Sequence, residues 1–106
     1  MIGKTVRVIV DRPLGSKHPK HDIIYPVNYG YVENVMGGDG EEQDVYLLGV
    51  DHPVSEYIAT VIAIVHRKND VEDKLVAAPK GVRFTREEIA KAVHFQEQYF
   101  DTEIIQ

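Results

Sequence analysis

Only one stretch of this chain carries a helical period, and it comes last. Thr85 followed by Glu88 forms a T-x-x-E capping box, and Ile89, Ala92, Val93, Tyr99 and Phe100 then fall on one face at about 100° per residue. The segments before it are strand-like. "KTVRVIV", Lys4 to Val10, alternates polar and apolar at period two, as a half-buried strand does. "YGYVENVM", the turn "GGDGEE" and "QDVYLLGV" read as a hairpin over residues 29 to 50. "EYIATVIAIVH" is β-branched and almost continuously apolar, which predicts a strand buried on both faces. "RKNDVED" turns the chain again, and "KLVAAP" is a short strand closed by Pro79. Five strands and then one helix, without strand–helix–strand alternation, predict an α+β, mainly β fold: an antiparallel barrel or strongly curled sheet with a helix packed on it.

Between the first two strands lies "DRPLGSKHPKHD", a polar loop with two prolines and a crowd of basic side chains. It is long for a compact domain, and long ordered loops are often functional. At 106 residues the chain is expected to be a single domain, 1–106, with one core. Its 43% hydrophobic and 27% charged residues place it among soluble globular proteins rather than disordered ones. A formal net charge of −5, with no dense basic tract, argues against a nucleic-acid partner. The absence of a long apolar run or a signal-like amino terminus predicts neither membrane span nor secretion. The absence of cysteine removes disulfides and thiolate metal sites, in keeping with a cytoplasmic location.

The chemistry is suggested by charge placement. Asp39, Glu41, Glu42 and Asp44 put four carboxylates at the mouth of one strand, and Asp70, Glu72 and Asp73 crowd another turn, so seven of the 17 acidic residues occupy two short segments. In water two charges about 6 Å apart repel by only roughly 0.7 kcal/mol, so solvated turns tolerate this composition. If the fold brings the turns together in a partly desolvated cleft, repulsion rises several-fold and a divalent ion is favoured. Oxygen-only ligands suit hard cations, Mg²⁺ or Mn²⁺. Lys74 beside the second cluster, and Arg12, Lys20, His18 and His21 in the long loop, supply cations for a phosphate. Each also has a plain reading: Lys74 as a surface salt-bridge partner, the two histidines as loop polar groups or metal ligands, and His66 and His94 as structural residues.

Four segments in order, "YPVNYGYV" (25–32), "DGEEQDVY" (39–46), "DKLVAAP" (73–79) and "HFQEQYFD" (94–101), resemble the family I soluble inorganic pyrophosphatases. The resemblance implies an OB-like five-stranded antiparallel barrel with one carboxy-terminal helix, and Mg²⁺-dependent hydrolysis of pyrophosphate or a related phosphoanhydride. It implies that the D-x-D-x-x-D turn is here Asp39, Glu41 and Asp44. Asp39 and Asp44 would be metal ligands, and Glu41, one methylene longer, would be the catalytic base. Asp70 and Glu72 stand for further metal-binding aspartates, with Asp73 the alternative to Glu72; Lys74, Tyr29, Tyr99 and Arg12 stand for groups that hold phosphate.

The sequence also departs from that pattern. The amino-terminal region that supplies a glutamate and a lysine to the family site is absent or unrecognisable, and the lysine expected after the helix tyrosine is Phe100; Lys17 or Lys20 could substitute from the enlarged loop. A weakened grip on pyrophosphate, or a changed substrate, follows. The alternative is a non-catalytic OB-like module that binds a phosphate ligand or a protein partner. "FDTEII" is read as a contact at the helix end, within the chain or in a homo-oligomer.

Overall fold

The first alternating run becomes β1 (Thr5–Arg12), whose Val6, Val8 and Val10 turn inward while their neighbours face out. β2 (Asn28–Met36) and β3 (Glu42–Leu47) form the expected hairpin, followed by β4 (Glu56–Arg67) and β5 (Lys74–Ala78). The helix α1 (Arg86–Glu97) follows, and then a strand the sequence reading did not foresee, β6 (Thr102–Ile105). This is a computed structural model, and it describes all residues from Met1 to Gln106.

β1 pairs with β2 on one side and β4 on the other, which closes β1-β2-β3-β5-β4 into a five-stranded barrel; β6 adds to the free edge of β4. One pairing departs from the antiparallel rule. β3 and β5 run parallel, with Val45 beside Leu75 and Leu47 beside Ala77. Parallel neighbours start at the same end of a sheet, so the acidic turns that precede β3 and β5 emerge side by side. An antiparallel pairing would have sent them to opposite ends.

Two apolar clusters flank the barrel wall. Val6, Val8, Val10, Val32, Val45, Leu47, Ala59, Val61, Leu75 and Ala77 belong to the barrel interior. On the outer face Tyr46, Leu48, Ala63, Val65 and Val76 receive Ile89 and Val93 of α1. β4 serves both because its register shifts between Val61 and Ala63. A one-residue slip moves every later side chain to the other face, so Ala63, Val65 and then Arg67 turn towards the helix. The strand is therefore not uniformly buried as expected: buried and half-buried positions alternate along it.

The capping box is present: Glu88 N donates to Thr85 Oγ1 at 3.1 Å and Thr85 N donates to Glu88 Oε1 at 2.8 Å. The helix, however, stops at Glu97, with Gln98 as its C-cap. Tyr99 and Phe100 lie beyond it rather than on its apolar face, and "FDTEII" runs into β6 instead of ending the helix. The β-branched Thr102, Ile104 and Ile105 suit a strand, and the edge of β4 offers them a partner.

The long polar loop is ordered by its own short ladder. His18 N donates to Ile23 O at 2.8 Å, Tyr25 N to Ser16 O at 2.9 Å, and Lys17 bridges Ile24. Its base is fixed by the fully buried Asn28, whose Oδ1 accepts from Leu14 N at 2.9 Å and whose Nδ2 donates to His52 O at 3.0 Å.

Candidate active site

A cleft of about 900 Å³ opens on the outer face of the barrel, between the ladder-closed loop and the end of α1. Alternation in β2, β3 and β5 explains its floor. Tyr29, Asp44 and Lys74 stand one residue away from the inward-facing Gly30, Val45 and Leu75, so all three point outward, below the helix. Arg12 pairs with Tyr29 across β1 and β2, just past an irregularity after Val10, and joins the rim. Lys20 lines the loop wall, and Tyr99 the wall beyond the helix.

The two acidic turns touch. A Cβ on Gly38 would stand 2.5 Å from Val71 O, and Gln43 Nε2 donates to Asp73 O at 2.7 Å. At the junction Lys74 Nζ donates to both Asp44 and Glu72, one carboxylate from each turn. Lys74 is 4% exposed, so it is not a plain surface salt-bridge partner. Burial works against its charge, but the hydrogen bonds to Asp44 and Glu72 and the charge of Asp44 outweigh that and hold its pKa above the ordinary 10.5. The same burial raises the Tyr29 phenol, which keeps it a protonated donor at neutral pH.

The remaining sequence-derived candidates are placed differently. Asp39 and Glu41 sit on the exposed turn, with Glu41 N donating to Asp39 Oδ1 at 3.0 Å, and neither lines the cleft. Asp70 and Glu72 also lie outside the lining, Glu72 reaching the site only through Lys74; Asp70 Oδ2 is 3.7 Å from Arg67 Nη1. Glu72 shares Lys74, whereas Asp73 turns away to His66 Nδ1 at 2.8 Å. His18 Nδ1 accepts from Lys20 N and His21 N at 3.0 and 3.2 Å, so that lone pair orders the loop. Partial burial and the charges of His21, Arg12 and Lys20 lower the His18 pKa, which keeps the ring neutral. Lys17 pairs with the exposed Asp22 at 3.5 Å and does not line the cleft.

Sequence reasoning missed a buried network at the floor. Arg67 donates through Nε and Nη2 to Glu97 at 3.0 and 2.7 Å, Tyr46 Oη donates to Glu97 Oε2 at 2.5 Å, and Gln96 Nε2 donates to Tyr46 Oη at 2.8 Å. The only available signal was an arginine closing an apolar strand, with no indication that a register shift would turn it towards the helix.

No three acidic or histidine side chains are pre-assembled as a metal cage. Asp44 and Glu72 nevertheless converge on one cation, the Lys74 ammonium. Two carboxylates with room for water and phosphate oxygens are a donor set of the kind Mg²⁺ accepts. Around the two buried cations Lys74 and Arg67 stand four carboxylates, Asp44, Asp70, Glu72 and Glu97, so this floor is negative and an incoming phosphate requires additional positive charge.

Comparison with known proteins finds inorganic pyrophosphatases. The chain is 27% identical over 79 residues to the inorganic pyrophosphatase of Campylobacter jejuni, an alignment covering 70% of this chain and 42% of that one. It therefore spans less than half of the length of this curated relative. Solved inorganic pyrophosphatases share the fold: that of Ehrlichia chaffeensis at a TM-score of 0.74 and 20% identity, covering 97% of this chain and 85% of that one, and that of Neisseria gonorrhoeae at 0.67 and 23%, covering 92% and 74%. No protein-family model matches the chain. The barrel with its appended helix is the pyrophosphatase fold, and the chain is pyrophosphatase-like in sequence as in fold. No helix is long and apolar enough to cross a membrane.

Proposed function

We propose that this pyrophosphatase-like chain hydrolyses inorganic pyrophosphate or a related phosphoanhydride in the cleft between the long loop and the end of α1, where Asp44 and Lys74 line its floor, with Mg²⁺, or Mn²⁺, as the cation. One observation carries the reading: Asp44 and Glu72, contributed by turns some thirty residues apart in sequence, meet around a single positive charge.

Asp44 and Glu72 are the pair that would hold the cation. Such an ion supplies charge neutralisation for phosphoryl oxygens and acidifies water. Lys74 faces the same point and, released from one carboxylate, donates to a phosphate oxygen as a fixed ammonium. Arg12 offers a fork of donors from the rim and Lys20 a charge from the loop wall. Tyr29 and Tyr99 supply neutral O–H donors that orient the anion without changing the charge of the site. Asp44, Lys74, Tyr29 and Arg12 stand on strands and Lys20 on a hydrogen-bonded loop, so much of the site is borne by an ordered backbone. Glu41, the base that the resemblance implies, stands on an exposed turn outside the cleft lining, so a smaller role is expected of it than of Asp44.

Phosphate release from pyrophosphate under Mg²⁺ and Mn²⁺ tests the reading. Wild type is expected to turn over, Asp44→Asn to lose roughly 100-fold or more in kcat, the scale seen when one group aimed at the transition state is removed, and Glu41→Gln to lose less than Asp44→Asn. Background rates in both metals, unchanged by Asp44→Asn, would remove the hydrolase claim. Tight pyrophosphate binding without turnover would make the chain a phosphate-binding module instead.

A further inference from the structure

We propose that Arg67 binds a phosphoryl oxygen of the substrate and supplies, from β4, the positive charge that is absent at Phe100. The inference rests on the pyrophosphate reading above and deepens it by adding a substrate-binding residue. Arg67 lines the cleft together with Arg12, Lys20 and Lys74, yet its side chain is only 5% exposed, so it forms floor rather than rim.

Its orientation is over-determined. The Nε–Nη2 edge is held by both oxygens of Glu97, Glu97 is held by the Tyr46 hydroxyl, and the guanidinium carbon lies 3.7 Å from the centre of the Phe100 ring. A planar guanidinium gripped along one edge and one face has its remaining donors aimed in a fixed direction. Two of those donors belong to Nη1, the third being the second N–H of Nη2. Nη1 is near Asp70 and Glu72, at 3.7 and 4.0 Å, beyond hydrogen-bond length, and makes no hydrogen bond within the chain.

A buried ion pair is weak evidence for stability, since apolar residues of similar volume often serve the fold as well. Its cost is understandable if the free edge has work to do when an anion arrives. Stacking on Phe100 fits the same role: an aromatic face in place of a charged side chain at the end of the helix leaves room for the guanidinium and holds it flat.

The test uses calorimetric binding of imidodiphosphate, a non-hydrolysable pyrophosphate analogue, with Mg²⁺, beside steady-state turnover. Arg67→Met alone would leave Glu97 buried without its cation, so the informative variant is Arg67→Met/Glu97→Gln, which leaves the net charge of the floor unchanged, with melting measured in parallel. It is expected to melt as a folded protein, to bind the analogue roughly ten-fold or more weakly, in line with a lost hydrogen bond to a charged group, and to show a raised KM. Adding Phe100→Lys is expected to restore most of that affinity. A folded Arg67→Met/Glu97→Gln protein that binds as wild type does would overturn the role of Arg67 while leaving the pyrophosphatase reading intact, as would failure of Phe100→Lys to restore any affinity. A wild-type chain that binds no analogue would overturn both.

Discussion

Lys74→Met is expected to abolish most phosphate release, by roughly 100- to 1000-fold, and to destabilise the fold at the same time. The activity loss follows from removing the one ammonium that faces the meeting point of the two turns. The stability loss has a separate cause. Asp44 and Glu72 are 29% and 23% exposed, so without Lys74 two neighbouring carboxylates are left partly desolvated and mutually repelling. Removing one partner of a fully buried pair costs about 3–5 kcal/mol, and partial solvent access reduces this to about 2 kcal/mol here.

The effect has a pH signature. Because the folded pKa of Lys74 lies above its unfolded value of 10.5, the folded state keeps the proton over a range where the unfolded chain has released it. The stabilisation is complete below about pH 10.5 and falls as pH rises further towards the folded pKa. Thermal melts should therefore show a constant gap between wild type and Lys74→Met from about pH 8 to 10 that narrows above it. A gap that widens above pH 10.5 would contradict the assigned ion pair.

The second large effect concerns the barrel itself. Gly30 on β2 lies opposite Val10, and a Cβ there would overlap the carbonyl oxygen of Ile9, with Ile9 C at 2.8 Å and Val10 Cα at 2.9 Å. All three are backbone atoms of β1, which cannot rotate away as a side-chain end can. Gly30→Ala should cost on the order of 3 kcal/mol or more, at the top of the range for overpacking. It would also disturb the site, because the same register sets Arg12 beside Tyr29. Chemical denaturation measures the loss, and a change under about 1 kcal/mol would mean that the strands sit further apart than described.

The parts of this architecture that were legible in the sequence are those set by local chemistry. Alternation at Val6, Val8 and Val10, the turn residues Gly37 to Gly40 and the Thr85–Glu88 box each act over a few residues, and each appears as read. What was illegible depends on distant partners. The helical period at Tyr99 and Phe100 was misleading, because the edge of β4 recruits the following residues into β6. Lys74 could be placed beside carboxylates but not beneath the surface, since its burial comes from the parallel pairing of β3 with β5. Arg67 was invisible because a shift in strand register has no fixed sequence signature. For the candidate site, residue types were readable, whereas which carboxylates meet depended on topology: Asp44 and Glu72 come together, while Asp39 and Glu41 stay on the outside of the turn.

The account depends most on the claim that the two turns act as one cation site. Calorimetric titration of Mn²⁺ in the presence of imidodiphosphate addresses this directly, in wild type, Asp44→Asn and Glu72→Gln. Binding in wild type that weakens roughly ten-fold or more in each single variant, one from either turn, is the predicted result. Wild-type affinity retained in both variants, with the fold intact, would contradict it.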